Sequence, residues 1–332
     1  MKTKFALISL LFFSAILLSG CGSPQPAPGP ERDFSGMAKN ELGGKGAIWV
    51  AYGWQNPQLL GEPVNSLGWE DGAYITSDGS TLYFAYFQGD LVNFILNGAK
   101  DFEKYKRGPS REVNPPGTID AFYSEKTGST WGEPKKFKYD EDLWSEGGVM
   151  ISGNEIYYMS NKPEGFGNDD IYLDGTNIGA PVNTKYDEED PHFSGGELFF
   201  WSEQRPKGTG KKNIWMSENA NGRWSEPLAL SAPINMANTE SMQPFLAENG
   251  ILYFTSNRDG VPSIYRSERL GKNKWSDPEK VIAPDIVPDK GAAIVAVGEP
   301  TLTADGSYLY FVVISRGEKG GFDSDIAYAW KK

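Results

Sequence analysis

Short apolar runs recur along this chain, and Gly-rich turns separate them. In "ESMQPFLAENGILYFTSNRDG", Glu240 to Gly260, an alternating stretch leads through a turn into an aromatic run and a second turn. The pattern returns as "WEDGAYITSDGSTLYFAYF" from Trp69, "SEGGVMISGNEIYYMSNK" from Ser145, "EEDPHFSGGELFFWSEQR" from Glu188 and "VGEPTLTADGSYLYFVVISR" from Val297. β-Branched and aromatic residues fill the runs and turn residues bound them, which predicts strands. No long segment has a 3.6-residue period, so the fold class is nearly all β.

Each copy reads as a four-stranded unit. An inner strand A follows the acid, and the aromatic run is strand B. Strand C is "SIYRSER", matched by "DIYLDG", "NIWMSEN", "DAFYSEK" and "DIAYAW". Strand D is announced by Trp131-Gly132-Glu133-Pro134, Trp224-Ser225-Glu226-Pro227 and Trp275-Ser276-Asp277-Pro278, with weaker copies at Leu60-Gly61-Glu62-Pro63 and Ile178-Gly179-Ala180-Pro181. Proline suits the start of an outer strand, where a missing N–H costs little. Five such units predict a single β-propeller of five four-stranded blades. The last unit lacks a strand D, whereas the segment before Trp69 carries the signal of one. An N-terminal strand is therefore expected to complete the last blade and remove its open edges. "AIWVAY" is a surplus strand with no place in that scheme.

The acid–Gly-turn–"LYF"–"SNRDG"–"IY" pattern, over about Trp69 to Trp330, resembles the TolB-like, WD-repeat-like propellers of the bacterial periplasm. That resemblance marks a fold more than an activity. Residues 1–20 read as a secretory signal peptide, and Leu18-Ser19-Gly20-Cys21 resembles a lipoprotein lipobox with Cys21 as the lipidated residue. The lipobox implies a cell-envelope protein held to the membrane by acyl chains. Gly22 after the cysteine implies the outer membrane. Residues 21–45 are Pro- and Gly-rich and read as a tether, leaving residues 46–332 as the propeller domain.

Composition narrows the partners. Loss of Lys2 and Lys4 moves the formal charge from −12 to −14, which argues against nucleic acid. One cysteine and one histidine, His192, argue against disulfides, a His-based zinc cage and a Ser-His-Asp triad. No cofactor or metal is expected, and the protein is expected to be monomeric.

The candidate ligand residues are Glu70, Glu146, Glu188 and Glu240, aligned by counting back from strand B, with Trp69, Trp144, Arg205 and Arg258 beside them and Glu299 standing two residues beyond Val297. Set around one channel mouth, they suit a sugar, an amine or a cation. The competing role is bracing, each acid paired with a cation at the end of strand B: Lys162, Arg205, Arg258 or Arg316. Trp69 and Trp144 stand beside these acids as sugar platforms, whereas Trp131, Trp224 and Trp275 repeat with the blades and read as structural. An insertion at 88–118 carries Lys100, Lys104, Lys106, Arg107 and Arg111 and is expected to cover the mouth. "GNDDIY" reads as turn chemistry first, with a calcium site as its minor alternative.

Two functions follow. The favoured one is a lipid-anchored propeller that binds a polysaccharide, peptidoglycan or an envelope protein, with no catalytic residues. The alternative is a glycoside hydrolase resembling the five-bladed arabinanase and xylosidase type, which sets two Asp and a Glu at one channel end. Asp71, Asp190, Glu146 and Glu240 are its candidates. The argument against it is that acids recurring with the repeat behave as scaffold, while catalytic groups are singular.

Overall fold

The computed structural model describes residues 32–331 except 109, 110, 112, 114, 210 and 287–292. The signal segment, Cys21 and most of the tether lie outside the described residues.

Antiparallel pairing groups the strands into successive meanders. The first runs Trp69–Ile75, Thr81–Phe87, Asp120–Thr127 and Lys135–Lys136. The second is thin: Glu146–Ser152, Glu155–Ser160 and Asp170–Leu173 carry only the two-residue Thr176–Asn177 outside them. The third is Glu188–Ser194, Glu197–Ser202, Asn213–Ala220 and Leu228–Ala229. The fourth is Ser241–Leu246, Ile251–Ser256, Ser263–Gly271 and Glu279–Pro284. In the last, Ala293–Leu302, Tyr308–Arg316 and Phe322–Lys331 are joined by Trp54–Leu59 from the other end of the chain. The N-terminal strand thus supplies the missing strand D.

Inner strands touch in cyclic order, first to second and onward until the fifth meets the first. Side-chain packing closes the ring, aided by a single parallel bridge between Ser324 and Trp69. The surplus "AIWVA" has a place too. Ala47–Ala51 pairs with Glu279–Pro284 and carries Met37–Glu41 on its free edge, so the fourth blade is widened by a hairpin. Folded structure therefore begins before the expected boundary at residue 46.

Both faces of a blade press on neighbours, which explains why strand B reads as an unbroken apolar run. Successive side chains point to opposite faces. Phe200 packs toward the second blade with Tyr157 and Ile171, and Phe199 packs toward the fourth with Phe254 and Tyr265. The recurring tryptophans occupy the same seams: Trp131 meets Tyr310 edge-on, and Trp224 meets Tyr157 of the second blade.

The 88–118 insertion is not a solvated lid. Its helices Leu91–Leu96 and Phe102–Tyr105 bury Leu91, Val92 and Phe94, with Phe94 against Phe87 and Phe102. Arg107 reaches Asp90 at 3.2 Å and Asp323 at 2.8 Å, which ties the insertion to the last blade.

Candidate functional site

Strand register separates two rings of positions that sequence spacing had merged. Glu70, Glu146 and Glu188 face Tyr86, Ser160 and Ser202 on strand B, and their counterpart in the fourth blade is Ser241, facing Ser256. Glu240 sits one residue earlier; its amide bonds Asn257 at 2.8 Å, just as Ser145 bonds Asn161 at 2.9 Å. Glu240 is therefore not the fourth member of the series.

Three of the expected ligand glutamates have their oxygens turned to the scaffold. Glu188 accepts from Thr184 N at 2.8 Å, Thr184 Oγ1 at 2.6 Å and Arg205 at 3.1 Å. Arg205 also donates to the carbonyls of Pro181 at 2.6 Å and Val182 at 2.7 Å, clamping the link between blades. Glu70 repeats the arrangement with Ser66 Oγ at 2.6 Å and Arg111 at 2.7 Å. There the insertion supplies the cation, in place of strand B. Glu146 accepts from Ser160 Oγ at 2.8 Å. Its second oxygen is buried without a partner, and burial followed by the Asp140 charge pushes its carboxyl up to about 8. Burial similarly pushes Glu70 and Glu188 up to about 7, against the opposing pull of their arginines and hydroxyls.

The cation series is uneven. Arg258 clamps the carbonyls of Pro233 and Ile234 at 3.3 and 3.1 Å, while Glu240 is approached by Lys212 at 3.9 Å instead. Lys162 pairs with Glu141 at 2.7 Å, and Arg316 lies over the Phe322 ring. Trp69 is buried and offers no sugar platform, its indole N–H being given to Asp71 at 3.1 Å. Trp144 is half-buried beside the second inner strand.

The second ring lines the channel. Every inner strand carries a register shift against strand B, and at each one a residue takes a left-handed conformation: Gly72, Gly148, Asp190, Gln243 and Glu299. Glycine adopts such a bulge without cost, and a side-chain residue does not. In three blades a polar side chain therefore stands where glycine serves in the others, and each precedes a proline. Backbone strain of this kind gathers where side chains are held for a purpose.

Asp71, Asp190, Gln243 and Glu299 converge there. Gln243 donates to Glu299 Oε1 at 2.8 Å, and Ala73 N to Glu299 Oε2 at 3.2 Å. Asp190 accepts from Trp201 Nε1 at 2.7 Å. Asp71 accepts from Trp69 and from Gly72 N at 3.1 Å, and its carboxyl acts on that of Glu299. Burial, then the charge and hydrogen bond of Asp71, raise Glu299 well above the usual carboxylate range. Asp190 retains some solvent contact inside the channel, yet enclosure and the Asp71 charge push it up to about 7. His192 is neutral: burial lowers it to about 4, and Nε2 sits 3.0 Å from the Leu246 carbonyl oxygen.

Free space beside these carboxyls, measured at water centres, is about 50 Å³. At about 10–15 Å³ each, that holds a few waters. Tyr74, Met150, His192 and Phe245 also line a wider cavity, about 270 Å³ on the same measure, at the end bearing the A–B turns. The space beside the carboxyls thus continues toward the face opposite the one expected, and no described residue of the insertion lines it.

Sequence spacing set Glu299 beside the glutamate series rather than in the bulge ring, and it missed Gln243. The signal that finds them is the pre-proline position shared by Asp190, Gln243 and Glu299.

No known family matches the chain, and no curated protein does. Among solved structures, a glycoside hydrolase shares 8% identity over 84% of this chain and 92% of its own, with a TM-score of 0.47. The tricorn protease shares 13% over 87% of this chain and 26% of its own, at 0.42. A Bombyx mori GH32 β-fructofuranosidase shares 15% over 82% and 61%, at 0.42. At these values the likeness carries no argument about activity.

Proposed function

We propose that the protein is a glycan-directed hydrolase whose working groups are Glu299, Asp190 and Asp71. The observation that carries this is where the acids stand: Glu70 and Glu188 are turned to the scaffold as braces, whereas Asp71, Asp190 and Glu299 converge on the channel. Two Asp and one Glu at one channel end is also the complement expected of the hydrolase alternative, with Glu299 in place of Glu146 and Glu240. Glu299, raised well above the usual carboxylate range by burial and by Asp71, is suited to act as the acid. Asp71, hydrogen-bonded to it, raises its proton affinity. Asp190 is the carboxyl not engaged by Glu299 and serves as base. A water attacks the anomeric carbon and gives its proton to Asp190. The glycosidic C–O bond breaks, and the leaving oxygen takes the proton of Glu299. In the same proposal Cys21 carries the lipid and the protein works at the cell envelope, on the outer membrane.

A second reading, recognition of an envelope glycan or protein without chemistry, is favoured by the channel's size, since about 50 Å³ at water centres admits no whole sugar ring without movement. A panel of aryl and oligomeric glycosides separates the two. Hydrolysis by the wild type that falls at least ~100-fold in Glu299→Gln supports the enzyme. No hydrolysis, with glycan-array binding lost in the same variant, supports recognition.

A further inference from the structure

Between the second and third blades lies a second acidic cluster, separate from the channel carboxyls. Asp169 ends the B–C loop of the second blade, and Asp187 and Glu189 flank the start of the third inner strand. One carboxylate oxygen from each lies within 4.8 Å of the other two. Asp169 is fully buried, and neither of its oxygens has a hydrogen-bond partner. A buried ionised carboxylate in that state is costly unless something positive completes it. The charges acting on it are all acidic, Asp187 foremost, then Asp170 and Asp190, and with burial they hold its carboxyl well above the usual range. Its neighbour Asp170 is turned to other work, accepting from Phe166 N at 2.5 Å and Asn177 Nδ2 at 3.2 Å. Asp187 accepts the Asn168 amide at 3.0 Å through one oxygen, which fixes its orientation. The Lys212 charge acts on Glu189 and is also drawn to Glu240, at 3.9 Å. One lysine does not balance three acids.

We propose that Asp169, Asp187 and Glu189 form a calcium site that pins the second blade to the third. The donors are all oxygen, which excludes the nitrogen and sulfur sets zinc prefers. A preformed, carboxylate-rich and largely buried cage suits Ca²⁺ better than Mg²⁺, which keeps most of its waters. The site also falls at the second blade, whose four strands make the smallest sheet among the described residues. The "GNDDIY" turn therefore does more than turn the chain. The inference does not depend on the hydrolase reading.

The test uses the full chain stripped with EDTA and then titrated with Ca²⁺ or Mg²⁺, followed by melting temperature and calorimetric stoichiometry. The site predicts one tightly bound Ca²⁺ per chain, a rise of about 5 °C or more at 100-fold excess over Kd, and a smaller response to Mg²⁺. Asp169→Asn abolishes the response and melts above the stripped wild type, because it relieves uncompensated charge. Glu299→Gln keeps the response, which separates this site from the channel. If Asp169→Asn does not fold, Asp187→Asn makes the same comparison. A wild type indifferent to Ca²⁺ up to about 10 mM, beyond the weakest extracellular modules, overturns the proposal. A full response in both aspartate variants overturns it as well.

Discussion

Ala73 N donates to Glu299 Oε2 at 3.2 Å, so the inner strands of the first and last blades meet at the Glu299 carboxyl, which burial and the neighbouring Asp71 charge raise well above the usual carboxylate range. The contact joins residues far apart in the chain, in the part of the ring that the N-terminal strand completes. The raised carboxyl also sets the electrostatic character of the channel, where protons rather than cations relieve the crowding of carboxylates.

Stability should therefore fall as pH rises. Asp190, Glu70 and Glu188 stand at about 7 and Glu146 at about 8 in the folded chain. Free carboxyls titrate near 4. Between roughly pH 4 and 8 the folded state binds more protons than the unfolded one, so this stabilisation is full below that window and is lost across it. His192 acts oppositely: its folded value of about 4 lies below the free one, so it costs stability as pH falls. Calorimetry should place the highest melting temperature near pH 5–6, with a fall toward pH 8.5 that Asp190→Asn reduces. A melting temperature flat or rising from pH 6 to 8.5 contradicts this.

The braces should report in stability. Glu188→Gln leaves Arg205 buried without its counter-charge and should cost about 1–3 kcal/mol in urea unfolding. Glu240→Gln, approached by Lys212 only at 3.9 Å, should cost under about 1 kcal/mol. Equal costs would mean that the two positions are equivalent after all.

Closure should show in truncations. Removing residues 22–51 deletes the outer hairpin on the fourth blade, whereas removing 22–59 also takes Trp54–Leu59 from the last. The longer deletion should lower the melting temperature far more, because it exposes Phe322–Lys331 as an open edge. Equal melting temperatures would sink the N-terminal closure.

Anchoring rests on the lipobox. Cys21→Ala should release the protein from membranes and abolish acyl labelling. Full retention on membranes after the change would remove the lipoprotein reading.

How much of this was written in the chain follows from range. The blades were legible because strand B is squeezed on both faces and must be apolar throughout, as at Leu198 to Trp201. Register was not. The A–B hairpins leave two residues between Ser152 and Glu155 but four between Leu246 and Ile251, so counting back misplaces Glu240. Glu299 stood outside the recurring series because it occupies the bulge ring, whose members share a backbone conformation and no side-chain type. Asp169, Asp187 and Glu189 meet across a blade seam, which no spacing within one repeat reveals.

In the proposed function the channel acids Asp71, Asp190 and Glu299, and not the recurring glutamates, do the chemistry. The direct measurement is kcat/KM on a cleaved glycoside, alongside melting temperature, for wild type, Glu299→Gln and Glu188→Gln. The account predicts that Glu299→Gln loses activity at least ~100-fold with its melting temperature kept or raised, while Glu188→Gln melts lower and keeps its activity per folded molecule. The reverse pattern, or a Glu299→Gln variant as active as the wild type, would contradict it.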